Sequence, residues 1–107
     1  MDARQFIKGS YLKATDFSPE PTVAKIQSVE SVELPDSDGR KVIKPVLHLE
    51  GFNGRGIVLN KTNLEVLMRN LGTHETDQWI GREVSIRTER VSINGRTVDA
   101  IRIVPEF

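Results

Sequence analysis

One helix-type segment interrupts a chain whose other regular segments all resemble strands. Leucine and methionine side chains recur at helical spacing over residues 64–71, and Gly72 follows as a stop signal. On both sides of it, runs rich in β-branched residues alternate with turn-forming residues. The predicted order is therefore β-β-β-α-β-β, which restricts the chain to a small set of mainly β architectures.

The strand-type runs carry two changes of parity in their apolar positions. The first, over residues 22–34, does not alternate strictly, which predicts one long strand with a bulge or a sharp bend. In the fourth run, Val84 and Ile86 differ in parity from Val91 and Ile93, which predicts a second bend or bulge. The dipeptide at residues 94–95, Asn-Gly, predicts a two-residue hairpin turn between the fourth and fifth strands.

Five short antiparallel strands with a helix between the third and the fourth are typical of the OB-fold barrel. We therefore predict a mainly β domain over residues 22–107, with one or two short helices, the second around Trp79, which would anchor it. Residues 1–21 are predicted to be an N-terminal arm that packs its aromatic side chains on the domain. An open α+β sheet uses the same elements. The barrel is favoured because both changes of parity fall where a barrel strand must coil.

Five motifs, in order along the chain, carry a family resemblance. They read YLKATDF, KPVLHLEG, IVLNKTN, WIGREVSI and GRTVDAIRI, and they span about residues 11–104. In this set the chain resembles a family of phage and prophage proteins of uncharacterised function, with Arg82 and Arg96 at positions where lysine is common. The general shape of that family is similar to single-stranded-DNA-binding OB modules, and this step is an analogy of fold.

Catalytic and metal sites are not indicated by the sequence. The absence of cysteine excludes disulfides, thiolate metal sites and cysteine nucleophiles. The histidines, His48 and His74, have no neighbours at metal-ligand spacing. Serine-hydrolase, zinc-protease and phosphate-loop motifs are missing, and nothing in the sequence brings Glu50 and Asp99 together as a carboxylate pair. We expect a protein that is not an enzyme and has no metal and no cofactor.

The charges balance overall but are unevenly distributed. Fifteen Lys and Arg match fifteen Asp and Glu, so the formal net charge is zero. Acids predominate over residues 30–38 and bases over residues 40–69. In an OB barrel, the second and third strands with the 1–2 and 4–5 loops form the ligand surface. The predicted nucleic-acid-binding residues are Lys41, Lys44, Arg55, Lys61, Arg87 and Arg96, with Phe52 as a candidate base-stacking side chain. Dispersed solubilising charge is the alternative interpretation.

Two further positions leave alternatives open. The segment LNKTN, residues 59–63, fits a capping box in which Thr62 and Glu65 bond each other's backbone N–H groups. It also fits a helix N-terminus that, with Lys61, holds a phosphate. Phe52 lies in a glycine-rich hairpin turn, where it could stack a base or fold over the rim of the barrel.

The leading functional hypothesis is a nucleic-acid-binding module that prefers single-stranded DNA. The alternative is a protein-interaction or assembly module, a phage structural or replication accessory protein. Its apolar arm (Phe6, Ile7, Tyr11 and Leu12) would join subunits or dock a phage protein. No signal-peptide pattern and no apolar run of membrane-spanning length is present, so we expect the cytoplasm of the host cell and no membrane partner.

Overall fold

The computed structural model describes residues 11–36 and 38–105. Most of that chain is strand. The strands are β1 (Thr22–Pro35), β2 (Lys41–Leu49), β3 (Gly56–Val58), β4 (Glu83–Ile93) and β5 (Arg96–Pro105); α1 is Lys61–Leu71, and 3₁₀ turns span Ala14–Asp16 and Thr76–Trp79.

The five strands form one antiparallel sheet in the order β3-β2-β1-β4-β5. Strand β1 belongs to both halves of the sheet, because its first residues pair with β4 and its later residues pair with β2. The inward side chains of both halves meet in one hydrophobic core. This is a partly open, OB-fold-like barrel with its helix between the third and fourth strands, so the predicted fold class is confirmed.

The predicted irregularity in β1 is confirmed and has a clear position. The register with β2 shifts between Ile26 and Ser28, which is a bulge. Ile26 is buried in the core before the bulge, and Val29 packs against the core after it. Because one extra residue reverses the alternation of side chains, a single strand can line the core along both halves of the sheet.

Of the two irregularities predicted for β4, a bend or a bulge, the bulge is not present in its pairing with β5. Strand β4 pairs with β5 in unbroken register from Val84 to Ile93. Val84 and Ile86 point into the core, whereas Val91 and Ile93 point outward on a hairpin that extends past it. The change of apolar parity therefore marks the end of the core, because the exposed hairpin tip has no buried face to keep its alternation in phase.

The helix begins two residues earlier than the capping-box hypothesis required. Its N-cap is Asn60, whose Oδ1 accepts from the Asn63 backbone N–H at 2.8 Å. Thr62 is already inside the helix, so the predicted Thr62–Glu65 box is wrong. The C-terminal signal is confirmed: Gly72 has the left-handed conformation and donates its N–H to the Met68 carbonyl.

A side chain of α1 fastens the helix to β5. Asn63 is 2% exposed, donates from Nδ2 to the Ile101 carbonyl at 3.0 Å and accepts at Oδ1 from the Ile103 N–H at 3.2 Å. In the described part of the chain, β3 and β5 form no ladder with each other. The Asn63 amide thus supplies, at the free edge of β5, the donor and acceptor that a neighbouring strand would have supplied.

Trp79 anchors the join between the second 3₁₀ turn and β4, as predicted. Its ring is fully buried in the core, and Nε1 donates to the Thr73 carbonyl at 3.0 Å. The turn itself begins after Glu75, whose side chain makes no capping hydrogen bond.

The described part of the N-terminal arm belongs to the domain. Leu12 lies in the core and donates its N–H to the Gly56 carbonyl of β3 at 2.8 Å. Phe17 packs on the same core and against the ring of Phe52. Residues 1–10, with the Phe6 and Ile7 of the predicted apolar arm, lie outside the described residues.

Candidate nucleic-acid interface

The seven residues predicted to bind nucleic acid are distributed over four parts of the fold. Lys41 and Lys44 lie on β2 opposite Pro35 and Val32 of β1. Lys44 has the opposite parity from the core residues Leu47 and Leu49, and it shares its side of the strand with His48. These two lysines therefore belong to the β1–β2 half of the sheet.

Phe52 and Arg55 are both engaged by the N-terminal segment. The rings of Phe52 and Phe17 are 5.8 Å apart at 47°, a tilted pair packed on the core. Arg55 donates from Nη2 to the Tyr11 carbonyl at 3.2 Å and lies 3.4 Å from Asp16 Oδ2. Both side chains hold residues 11–17 against the β2–β3 turn. Of the two interpretations of Phe52, the structure has the ring folded over the rim.

Lys61 occupies the first residue of α1 and is almost fully solvated. Its side chain is 89% exposed, and its Nζ lies 3.9 Å from Glu65 one turn later. An exposed pair of this kind contributes little to stability, so the ammonium group remains available to solution. Lys61 is two residues before Asn63, which binds the backbone of β5.

Three arginines share the outward side of the β4–β5 hairpin, and we call this surface the arginine face. Arg87 lies directly opposite Arg102, and Arg96 follows nearer the tip. Arg102 Nε donates to Glu89 Oε2 at 2.9 Å, which offsets the repulsion between the two opposed arginines. Over the paired residues 84–105, Glu89 is the acid on this side, so three positive charges outnumber one negative charge there; Glu83, just before the paired stretch, lies on the same side of β4.

Exposed aliphatic side chains share this face with the arginines. Ile93, Val98 and Val104 are all large and exposed, and Val98 lies opposite Val91. Such a surface offers both cationic groups for phosphates and apolar groups for the flat sides of bases or sugars.

Lys44 and Arg87 do not share a surface. Each points outward from a different half of the sheet, and the inward sides of both halves enclose the same core. The predicted binding residues therefore do not form one group. Arg87 and Arg96 both lie on the arginine face, whereas Lys41 and Lys44 lie on the other half of the sheet.

The pairing of Arg87 with Arg102 was accessible from the sequence. A two-residue turn at Asn94 and Gly95 places residues equally distant from the turn opposite each other. Counting outward from that turn gives both the opposed arginines and the Arg90–Asp99 pair.

The outward side of the β1–β2 half is occupied by an acid–imidazole pair. His48 Nε2 lies 2.8 Å from Glu30 Oε2, across the β1–β2 ladder. The register of the two strands places Glu30 diagonally opposite His48. A carboxylate at the centre of this surface opposes binding of a phosphate there.

The inward side of the β4–β5 hairpin, beyond the core, covers a cleft of about 500 Å³. Thr88, Arg90 and Asp99 form one wall. The other wall is the N-terminal segment, residues 14–19, with Phe17 among its side chains. We call this the Phe17 cleft. It and the arginine face are opposite sides of the same two strands.

Hydrogen bonds fix both walls of the Phe17 cleft. The Thr88 N–H donates to the Ser18 carbonyl at 3.0 Å, which ties the N-terminal segment to the edge of β4. Arg90 Nε lies 3.4 Å from Asp99 Oδ1, a directly opposed pair across β4 and β5. Phe17, Thr88 and Arg90 were not among the predicted site residues, because their proximity depends on where the N-terminal segment packs.

Three or more histidine or acidic side chains do not come together anywhere in the described ranges to form a metal site. Within those same ranges, no helix combines the length and apolarity that crossing a bilayer requires. Comparisons of the chain with protein-family models, with curated proteins and with solved structures find no match.

Proposed function

We propose that this protein is a non-catalytic nucleic-acid-binding module, and that single-stranded DNA lies along the arginine face of the β4–β5 hairpin. The observation that carries the proposal is the opposition of Arg87 and Arg102, with Arg96 on the same side of the hairpin. Guanidinium groups bind phosphate oxygens in a bidentate manner and also stack on bases.

Charge separation supports this surface over the β2 surface. On the arginine face, Glu89 is held by Arg102 at 2.9 Å, so one arginine neutralises it and Arg87 and Arg96 remain. On the β2 surface, Lys44 lies opposite Val32, on the side of the β1–β2 ladder that carries Glu30, and the β1–β2 turn is rich in acids. A polyanion is therefore attracted more strongly to β4–β5, although the whole chain has no net charge.

Two further features favour a single strand as the ligand. The 4–5 loop of an OB-type barrel commonly forms a wall of its ligand surface. The aliphatic residues Ile93, Val98 and Val104 lie on the same side of the hairpin as the arginines and can contact unpaired bases or sugars. The resemblance of the sequence motifs to phage proteins is compatible with such a role in the host cell.

A fluorescence anisotropy titration of labelled oligo(dT) at low and moderate salt tests the proposal. We expect binding in low salt that weakens steeply as salt rises, because counterions are released from the phosphates. Matched oligo(rU) and duplex titrations establish the strand preference. Absence of oligo(dT) binding at micromolar protein in low salt would overturn the proposal.

Assembly is the second candidate function, and Ile43 favours it. This side chain is 76% exposed on the β1–β2 hairpin, opposite Glu33 and away from the arginine face. Contiguous exposed apolar patches mark protein contact surfaces, and Ile43 would contribute one side chain to such a patch. Light scattering after size-exclusion chromatography, for the natural chain and Ile43→Ser, tests it: a concentration-dependent oligomer that Ile43→Ser dissociates is expected, and a monomer throughout excludes self-association through this residue.

A further inference from the structure

We infer that the Phe17 cleft receives one unstacked nucleobase of the bound strand, which makes it a base-binding subsite beneath the arginine face. The inference rests on the proposed function, because the rest of the strand is held by that face. It assigns a separate role to the inward side of the same hairpin.

The volume and the lining of the cleft suit a small planar group. Its volume of about 500 Å³ lies within the usual range for small-molecule sites, which is about 300–1,000 Å³. The half-buried ring of Phe17 lies on one side and is itself supported by Phe52, with 5.8 Å between the ring centres. An aromatic ring fixed in this way can stack a base.

The polar groups of the opposite wall supply both donors and acceptors. Thr88 is 8% exposed, and its hydroxyl has no hydrogen-bond partner among the described residues. No fully enclosed side-chain oxygen or nitrogen in those residues lacks a partner, so the hydroxyl remains accessible from the cleft. Arg90 contacts Asp99 through Nε, which leaves its two terminal nitrogens free to donate.

The charge of that wall selects against a simple anion. Asp99 Oδ1 is 3.4 Å from Arg90 Nε, so a phosphate entering the cleft would approach a carboxylate as well as a guanidinium. A neutral base edge, which has donors and acceptors side by side, matches a wall containing a hydroxyl, a guanidinium and a carboxylate. The phosphates of the same strand are then left to the arginine face.

A single bound strand of DNA can reach both the arginine face and the Phe17 cleft. Thr88 and Arg90 alternate along β4 with Arg87, so one strand of DNA that passes the hairpin meets both of its sides. The described contacts of β4 with β1 end at Ile86, and those with the N-terminal segment end at Thr88. The bound DNA can therefore cross from the arginine face to the Phe17 cleft at the edge of β4 beyond Thr88.

Backbone amide spectra of the full chain, titrated with thymidine, with deoxyadenosine and with inorganic phosphate, test the inference. We expect the nucleosides to shift the resonances of Phe17, Thr88 and Arg90, and phosphate to leave them in place. Phe17→Leu should weaken nucleoside binding about tenfold through loss of stacking. Thr88→Val should weaken it about threefold to tenfold through loss of one hydrogen bond. Thr97→Val, on the same side of the hairpin but outside the cleft, should bind as the natural chain does.

Oligo(dT) and an abasic strand of equal length separate this inference from the proposed function. Tighter binding of oligo(dT) than of the abasic strand, lost in Phe17→Leu, supports the base subsite. Equal binding of both strands, without nucleoside shifts in the cleft, overturns the subsite but leaves the proposed function intact. If neither strand binds, the proposed function fails, and the nucleoside titration still decides the subsite. Phosphate shifts equal to those of the nucleosides would identify an anion site and overturn the inference.

Discussion

The Asn63 side chain donates to the Ile101 carbonyl at 3.0 Å, and this bond joins the first turn of the helix to the edge strand of the sheet. The same amide accepts from the next inward residue of β5, so it satisfies one backbone acceptor and one backbone donor at a strand edge. In the described residues, β3 and β5 do not pair with each other. The Asn63 side chain instead joins the helix to β5 at that edge of the barrel.

Replacing Asn63 with alanine should destabilise the protein by about 2–4 kcal/mol, because a buried carbonyl and a buried N–H each lose their partner. Urea denaturation followed by circular dichroism measures the change. Asn70→Ala is the matched control: Asn70 is exposed and donates to Val66 within the helix, so its loss should stay within about 0.5 kcal/mol. Equal effects at Asn63 and Asn70 would show that the bond to β5 does not hold the helix.

The helix cap gives a second prediction. Asn60→Ala should cost about 1 kcal/mol, because Oδ1 no longer accepts from the Asn63 N–H. Thr62→Ala, an exposed position inside the helix, should change the free energy of unfolding by less than about 0.5 kcal/mol. Chemical denaturation of both variants provides the measurement. A larger effect at Thr62 than at Asn60 would restore the capping box suggested by the sequence.

Close packing between β2 and β3 gives a third prediction. Gly56 is buried, and a Cβ there would overlap Cγ1 of Val46 and press on the His48 ring. Gly56→Ala should destabilise by about 1–3 kcal/mol, as overpacking usually does. The double variant Gly56→Ala with Val46→Ala should be less destabilised than the sum of the single variants, because the second change removes the overlapping methyl. Additive free energies of unfolding would contradict this packing.

The salt dependence of DNA binding gives a fourth prediction. If Arg87 and Arg96 each contact a phosphate, Arg87→Gln and Arg96→Gln should each lower the slope of log K against log salt by about 0.7. Arg69→Gln, in the last turn of α1, removes the same charge away from the hairpin and should leave the slope unchanged. Anisotropy titrations over a salt series give the slopes. The same slope for all three variants would place the phosphates elsewhere.

Local signals were sufficient to predict the elements of this fold. The Asn94–Gly95 turn, the Gly72 stop and the parity change in β1 each depend on a few neighbouring residues, and each is present as predicted. Hairpin register is also local, so the opposition of Arg87 and Arg102 follows from the turn alone.

Assignments that depend on distant segments could not be predicted in this way. The partner of His48 is Glu30, eighteen residues earlier, and the partners of Arg55 lie about forty residues earlier in the chain. The parity change in β4 was compatible with a bulge because the sequence does not reveal where the core ends.

By itself, the sequence determined the strand order, the position of the helix and the alternation that places Arg87 and Arg96 on one side of a hairpin. The tertiary structure decided which surfaces those residues share: it separated Lys44 from the arginines and placed Phe17 opposite Thr88. The physical reason is the distance along the chain over which each kind of interaction acts. Turn geometry and alternation act over a few bonds, whereas the direction of each surface depends on how two halves of a sheet fold around a common core.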